Sequence, residues 1–228
     1  RKSKKKIHIN KINYLPKKIK SKIKFDLKKI IRKKKINNLN FSVLPNIMGV
    51  LNITPDSFSD GGKYFKKNLG FEHFKELIKS GSDIVDVGGE STKPGSKDIK
   101  YFYEWKRIKP TLKKIKNLKC FVSLDTRKSK IMENGIKYKV NLINDVSGLS
   151  YDKNTIKVLK KYKIPFVLHH MQGTPQIMQK NPKYKNVLLD IYDYFEKKII
   201  EIRKNGILHD NIILDPGIGF GKNLKHNI

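Results

Sequence analysis

The sequence predicts an α/β chain folded as a TIM (β/α)8 barrel, carried to about six β/α units over its length. Three observations predict it. Short apolar runs alternate with longer amphipathic stretches, which is the order of a parallel sheet with helical crossovers. The runs are almost continuously hydrophobic, as strands covered on both faces are. Each run carries polar or catalytic residue types at its C-terminal end, where an open doubly wound sheet would gather them at one switch point.

The elements follow in order. Residues 1–38 form a basic extension rich in Lys and Ile, with no Gly and one Pro (Pro16). Ile7–Ile12 alternates like a short strand, and residues 17–35 place Ile19, Ile23, Leu27, Ile30 and Ile31 near helical spacing. A basic amphipathic helix can meet a membrane or RNA, but this segment reads as a solvated extension. The barrel domain is expected over 39–228. Its strands are Ile47–Leu51, Ile84–Val87, Phe121–Leu124, Leu142–Ile143 with Val146, Phe166–Leu168 and Ile212–Leu214. Helices are expected over about 68–80, 101–117, 128–138, 152–162 and 183–205, with Pro110 kinking the second or delaying its start. The sequence opens on Arg1 and stops soon after a Gly-rich turn. It therefore reads as part of a longer frame, with two more units expected to close the barrel.

Composition bounds the function classes. The formal net charge of +31 would suit a nucleic acid or an anionic membrane. Its make-up argues otherwise: 46 Lys stand against 5 Arg, with 30 Ile, 19 Asn and no Ala. That is the signature of drift toward A/T-rich codons, and it spares Lys over the Arg that base-reading sites prefer. No stretch approaches 18 apolar residues and no secretory leader is visible, so a cytoplasmic location is expected. The single Cys120 excludes an intrachain disulfide.

Two loops carry the chemistry. Asn52-Ile53-Thr54-Pro55-Asp56-Ser57-Phe58-Ser59-Asp60-Gly61-Gly62 follows the first strand. It is long for a turn, and long loops at this end of a barrel are working parts. Asp86-Val87-Gly88-Gly89-Glu90-Ser91-Thr92-Lys93-Pro94-Gly95 follows the second, with glycines for close approach and hydroxyl, amide and ammonium donors suited to phosphate. Alone, each is a weak signal. Together with Ser123-Leu124-Asp125-Thr126, Ile143-Asn144-Asp145-Val146-Ser147, His170-Met171-Gln172-Gly173 and Leu214-Asp215-Pro216-Gly217-Ile218-Gly219-Phe220-Gly221-Lys222-Asn223, they closely resemble the dihydropteroate synthases over about 39–228.

The resemblance implies a transferase of folate biosynthesis, the target of sulfonamides. It would join a 6-hydroxymethyl-7,8-dihydropterin diphosphate to 4-aminobenzoate, releasing pyrophosphate. Asp125, Asn144 and Asp215 would grip the pterin and stabilise a cationic transition state. Asn52 would lie beside a Mg²⁺ ion that pairs with the diphosphate, with Asp60 near it, and Thr92 would touch the phosphate. Phe58, Thr92, Lys93 and Pro94 would enclose the aminobenzoate. Lys93 stands where most members carry Arg, which keeps the charge and loses the planar fork. A Ser-Arg-Lys segment and an Arg-x-His pair of the family do not occur in this sequence, so the chain alone is expected to be poorly active. A homodimer is implied for the full-length protein. The other readings are a different pterin-binding barrel of the corrinoid methyltransferase type and a non-catalytic basic RNA- or membrane-binding protein. His169 and His170 are neighbours on a strand and point to opposite faces, so they read as packed or pocket-lining residues rather than joint metal ligands.

Overall fold

The computed structural model describes residues 8–31, 35–36, 39–40, 45–54, 69–93 and 95–228. A 3-10 helix (Ile9–Tyr14) and α1 (Lys17–Ile31) come first. A short antiparallel pair follows, β1 (Lys35–Ile36) and β2 (Leu39–Asn40). The strand expected over Ile7–Ile12 is thus a correction: from Ile9 the chain is helical. An isolated strand has no neighbour for its backbone groups, whereas local turns satisfy them, as Lys11 N to His8 O and Leu15 N to Ile12 O do here.

The main body then alternates strand and helix. β3 (Met48–Asn52), α2 (Leu69–Lys79), β4 (Ile84–Gly88), α3 (Tyr101–Ile115), β5 (Phe121–Asp125), α4 (Ser129–Lys137), β6 (Leu142–Asp145), α5 (Thr155–Tyr162), β7 (Phe166–His169), α6 (Val187–Lys204), β8 (Ile212–Asp215) and α7 (Leu224–Asn227) complete it. The strands are parallel and lie in chain order, β3-β4-β5-β6-β7-β8. Among the described residues the sheet does not close, so β3 and β8 are its edges.

Boundaries differ from expectation for local reasons. Asp152 accepts from the N–H groups of Ser129 and Asn154, so a turn occupies 152–154 before α5 starts. Lys183 donates its N–H to Gln172 Oε1, and α6 starts only after Asn186, whose side chain accepts from Leu189 N. α3 runs unbroken through Pro110, which lies on its exposed side, where solvent can reach the carbonyl that proline leaves without a donor.

The strands run one residue further than their apolar segments, and β6 two, which keeps Asn52, Gly88, Asp125 and Asp215 in the ladder. Register partners in a parallel sheet share a face. Outward residues such as Val85, Val87, Leu124, Ile143, Phe166 and Leu168 form the core against the helices. Inward residues are layered. Ile84, Phe121, Leu142 and Val167 make an apolar floor, packed with Ile213 and with Ile36 of β1. The second inward position of β3, β4 and β5 aligns Val50, Asp86 and Ser123. The third aligns Asn52, Gly88 and Asp125, and Asp125 pairs in turn with Asn144.

Outside this layered interior, buried ions tie the βα loops together. Glu90 Oε2 accepts from Arg127 Nε at 2.9 Å and pairs with Lys128 Nζ at 2.8 Å. Glu90 Oε1 accepts from Ile99 N at 3.0 Å, which closes the base of the loop after β4. Arg127 reaches Asp98 at 2.7 Å, and Lys128 reaches Glu104 at 2.7 Å. Burial raises the Glu104 carboxyl although Lys128 draws it down, while burial opposes the charged Lys128 and the two glutamates raise it. Desolvation therefore outweighs the attraction for Glu104, which is 0% exposed. Such a pair adds little stability when intact and costs much when broken.

Lys128→Met should lower unfolding stability by about 3 kcal/mol at neutral pH, because two buried glutamates lose a partner. Glu104 holds its proton to higher pH when folded than when unfolded. The penalty should therefore be full at neutral pH and shrink as pH falls through the folded value. Denaturant titrations at several pH values check both the size and the sign.

Candidate active site

Inward side chains converge at the C-terminal ends of the strands. Asn52, Gly88, Asp125 and Asn144 stand in one hydrogen-bonded row across β3 to β6. Asn144 continues the row to Val167 and Ile213, and Asp215 lies two residues beyond Ile213, so it shares the inner face one layer higher. A Cβ at Gly88 would stand 3.2 Å from Asn52 Oδ1 and 3.2 Å from Asp125 Oδ2. Glycine there leaves an amide oxygen and a carboxylate oxygen facing one gap.

The acids of this rim are poorly neutralised. Burial raises the Asp125 carboxyl well above its ordinary range, and the charges of Asp86, Glu104, Asp145 and Glu90 push it further. Burial also raises Asp86, against the pull of the Ser123 hydroxyl and the Asn144 amide. Asp145 is pushed up to about 6 by burial, although its Oδ1 accepts from both the N–H and the hydroxyl of Ser147. Asp86 Oδ2 accepts from Asn144 Nδ2 at 2.8 Å. Asp86 Oδ1, Asn144 Oδ1, Ser123 Oγ and Asp145 Oδ2 are buried without a protein partner. Buried polar atoms left in this state are costly unless something else fills their bonding capacity.

Asp215 is held from two sides. Its Oδ1 accepts from Gly217 N at 2.7 Å, and its Oδ2 lies 3.9 Å from His169 Nε2. His169 Nδ1 is 3.0 Å from Val146 O, so the ring donates there and turns Nε2 toward Asp215. Burial lowers His169 while Asp215 opposes, which leaves the imidazole neutral at pH 7. The loop beyond Asp215 folds back through Gly217, Gly219 and Gly221, all at positive φ. Lys222 Nζ closes it, donating to Gly217 O at 2.8 Å and Phe220 O at 3.0 Å, with His170 Nδ1 at 3.1 Å. Burial brings Lys222 down to about 8, and burial with Lys222 beside it brings His170 down to about 4.

The structure thus brings together Asn52, Asp125, Asn144 and Asp215 of the expected residues. Thr92 is half-buried and Lys93 exposed on the loop after β4. That loop is pinned by Gly95 N to Pro175 O at 3.1 Å and by Gln176, which reaches Asp98 at 2.6 Å. Phe58, Asp60 and Pro94 lie outside the described residues. Among the described residues no three His, Cys, Asp or Glu side chains are grouped to hold a metal. Asn52 Oδ1 beside Asp125 Oδ2 is nevertheless an all-oxygen pair, and Mg²⁺ takes few protein oxygens and keeps its waters. The donor set fits that ion.

Sequence reading missed Asp86, Lys222 and the Glu90–Arg127–Lys128–Glu104 cluster. Asp86 was accessible by strand parity, since it lies two residues before Gly88 and faces the same way. Lys222 lies inside a quoted motif, but only the fold of its loop turns it toward His170. The ion cluster joins residues up to 38 positions apart, as Glu90 and Lys128 are, and left no local signal.

Comparison with known proteins agrees with this geometry. The family model described as pterin binding enzyme matches residues 48–228. The dihydropteroate synthase of Clostridium beijerinckii is 44% identical over 183 residues, covering 80% of this chain and 65% of that protein. The chain thus spans slightly less than two thirds of the length of this relative. The Yersinia pestis dihydropteroate synthase, solved with a sulfonamide drug, superposes with a TM-score of 0.78 at 34% identity, covering 86% of this chain and 72% of that one. The Xanthomonas albilineans dihydropteroate synthase with 4-aminobenzoic acid superposes at 0.76 with 30% identity, over 86% and 70% of the two chains. The barrel architecture of the six units follows from these neighbours, and the chain belongs to the pterin binding enzyme family, among its dihydropteroate synthases.

Proposed function

We propose that the protein condenses 6-hydroxymethyl-7,8-dihydropterin diphosphate with 4-aminobenzoate to give 7,8-dihydropteroate and pyrophosphate. The observation that carries the reading is the inward row of Asn52, Gly88, Asp125 and Asn144, with Asp215 one layer above. Carboxylates and an amide match the donor and acceptor edge of an aminopyrimidinone, and the apolar floor beneath suits a flat ring. The same relatives are what this chain resembles over its described barrel, and one Xanthomonas albilineans structure holds 7,8-dihydropteroate. They favour this reading over a corrinoid methyltransferase or a basic nucleic-acid-binding protein.

The reaction breaks the bond between the exocyclic methylene and the diphosphate oxygen and forms a bond from the methylene to the amine nitrogen, which then loses a proton. Positive charge develops on the pterin as the diphosphate departs. Asp125 answers it: crowding and burial make its carboxylate costly in the empty site, and a cationic ring beside it removes that cost. The stabilisation is therefore larger in the transition state than in the ground state. Asn144 and Asp215 orient the ring, while Thr92 and Lys93 lie on the loop that would face the phosphate and the aminobenzoate. Mg²⁺, held through Asn52, would supply charge neutralisation for the diphosphate. Phe58, Asp60 and Pro94 complete the proposed enclosure. The same reading carries a cytoplasmic location and a homodimer. Among the described residues no helix is long and apolar enough to cross a membrane.

Asp125→Asn should lower kcat by about 100-fold or more in the intact protein. Affinity for aminobenzoate should be nearly unchanged, and steady-state kinetics separates the two. Unaltered turnover would remove Asp125 from the mechanism. Sulfonamides should raise the apparent KM for 4-aminobenzoate and leave kcat alone; any other inhibition pattern counts against a shared pocket. Pyrophosphate binding, followed by calorimetry, should weaken on chelation of Mg²⁺ and lose its Mg²⁺ dependence in Asn52→Ala.

A further inference from the structure

The inward layer below the rim contains one group that the proposed reaction leaves without a role. Asp86 is 4% exposed and stands level with Val50 and Ser123, above a floor of Ile84, Phe121, Leu142, Val167 and Ile213. The apolar cluster offers no side-chain donor, and level with Asp86 the Ser123 hydroxyl draws its carboxyl down. Its Oδ2 takes the Asn144 amide nitrogen at 2.8 Å, and its Oδ1 has no protein partner. Asn144 Oδ1 is likewise buried and unpartnered.

An amide has two faces, one donating and one accepting, and nothing intrinsic to Asn144 decides which meets a ligand. Asp86 does decide it. As a carboxylate it only accepts. As a neutral carboxyl its proton belongs on Oδ1, because Oδ2 already faces an N–H. In both states Asn144 must turn Nδ2 down to Asp86 and Oδ1 toward the rim. Burial raises the Asp86 carboxyl, and neither protonation state frees the amide to turn. A turned amide would set oxygen against oxygen in a buried place.

We propose that Asp86 is a positioning residue for the pterin site: it locks the Asn144 amide so that Oδ1 is presented to the ligand. The inference rests on the reading of this rim as a pterin site and adds to it a residue beneath the ligand. Together with Asp125 and Asp215, the locked Asn144 oxygen makes a set of acceptors at the inner face. That set selects a planar heterocycle presenting N–H donors.

A double-mutant cycle tests the lock. The probe is 6-hydroxymethyl-7,8-dihydropterin, its binding followed by calorimetry, with thermal unfolding read on the same samples. Asp86→Leu has nearly the shape of aspartate and meets apolar neighbours in Val50, Ile84 and Leu142, so the fold should tolerate it. It should weaken pterin binding by about tenfold or more, since the amide is no longer held. In the Asn144→Ala background the same change should cost less than about twofold, because the residue it positions is gone. Asp86→Asn keeps an acceptor in place and should restore affinity to within about threefold of the parent. Asp86→Ser, too short to reach Asn144, repeats the cycle without relying on leucine being accommodated. Equal losses with and without Asn144, or no loss in Asp86→Leu and Asp86→Ser, would overturn the proposal while the pterin site stands. If the parent protein bound no pterin, the site reading would fall and the proposal with it.

Discussion

Acids crowded at one end of a parallel sheet set the character of this protein. Asp86 and Asp125 face inward on adjacent strands, Asp86 one layer lower, and Asp145 ends the next strand on its outward side; among the described residues none of them has a salt-bridge partner. Burial raises all three, and neighbouring carboxylates raise Asp125 further. A ligand rich in N–H groups and carrying developing positive charge relieves that cost. Strand parity brings two of these acids to one face: Asp86 lies two residues before Gly88, and Gly88 pairs with Asp125.

The cations stand aside from this rim, and their placement separates two tasks. Arg127 and Lys128 follow β5 directly, yet they turn outward to Glu90, Asp98 and Glu104 and hold the loops by buried ion pairs. Arg127 also lies over the Tyr151 ring, 4.2 Å from its centre, which keeps the guanidinium away from the barrel axis. Lys222 is spent on carbonyls and on His170 in the last loop. Pairing is thus used for shape and its absence for chemistry. The loop carrying Thr92 and Lys93 inherits its position from a pinned base at Glu90 and Ile99.

The net charge of +31 plays no part in that arrangement. Many of the described lysines lie on exposed helix faces, as at Lys113 and Lys114 of α3 or Lys160 and Lys161 of α5. The surplus is a property of the surface, while the site itself is acidic. A reading from net charge would have pointed to a polyanion, and the inner face points instead to a ligand with donors to give.

Much of this was legible from local pattern. Continuous apolar runs placed the strands, 3.6-residue periodicity placed the helices, and the polar residue at each strand end marked Asn52, Asp125, Asn144 and Asp215. These signals are short-range, because side-chain direction in a strand or helix repeats within a few residues. Boundaries failed where a neighbour captured a backbone group, as Asp152 does ahead of α5 and Gln172 ahead of α6. The strand expected at Ile7–Ile12 failed for want of a partner strand. Only the tertiary structure decided which way the Asn144 amide turns, that Glu90 meets Arg127, and that Lys222 returns to His170. Each depends on loops bringing distant positions within about 3 Å, and a hydrogen bond at that range answers to geometry that residue order alone does not encode.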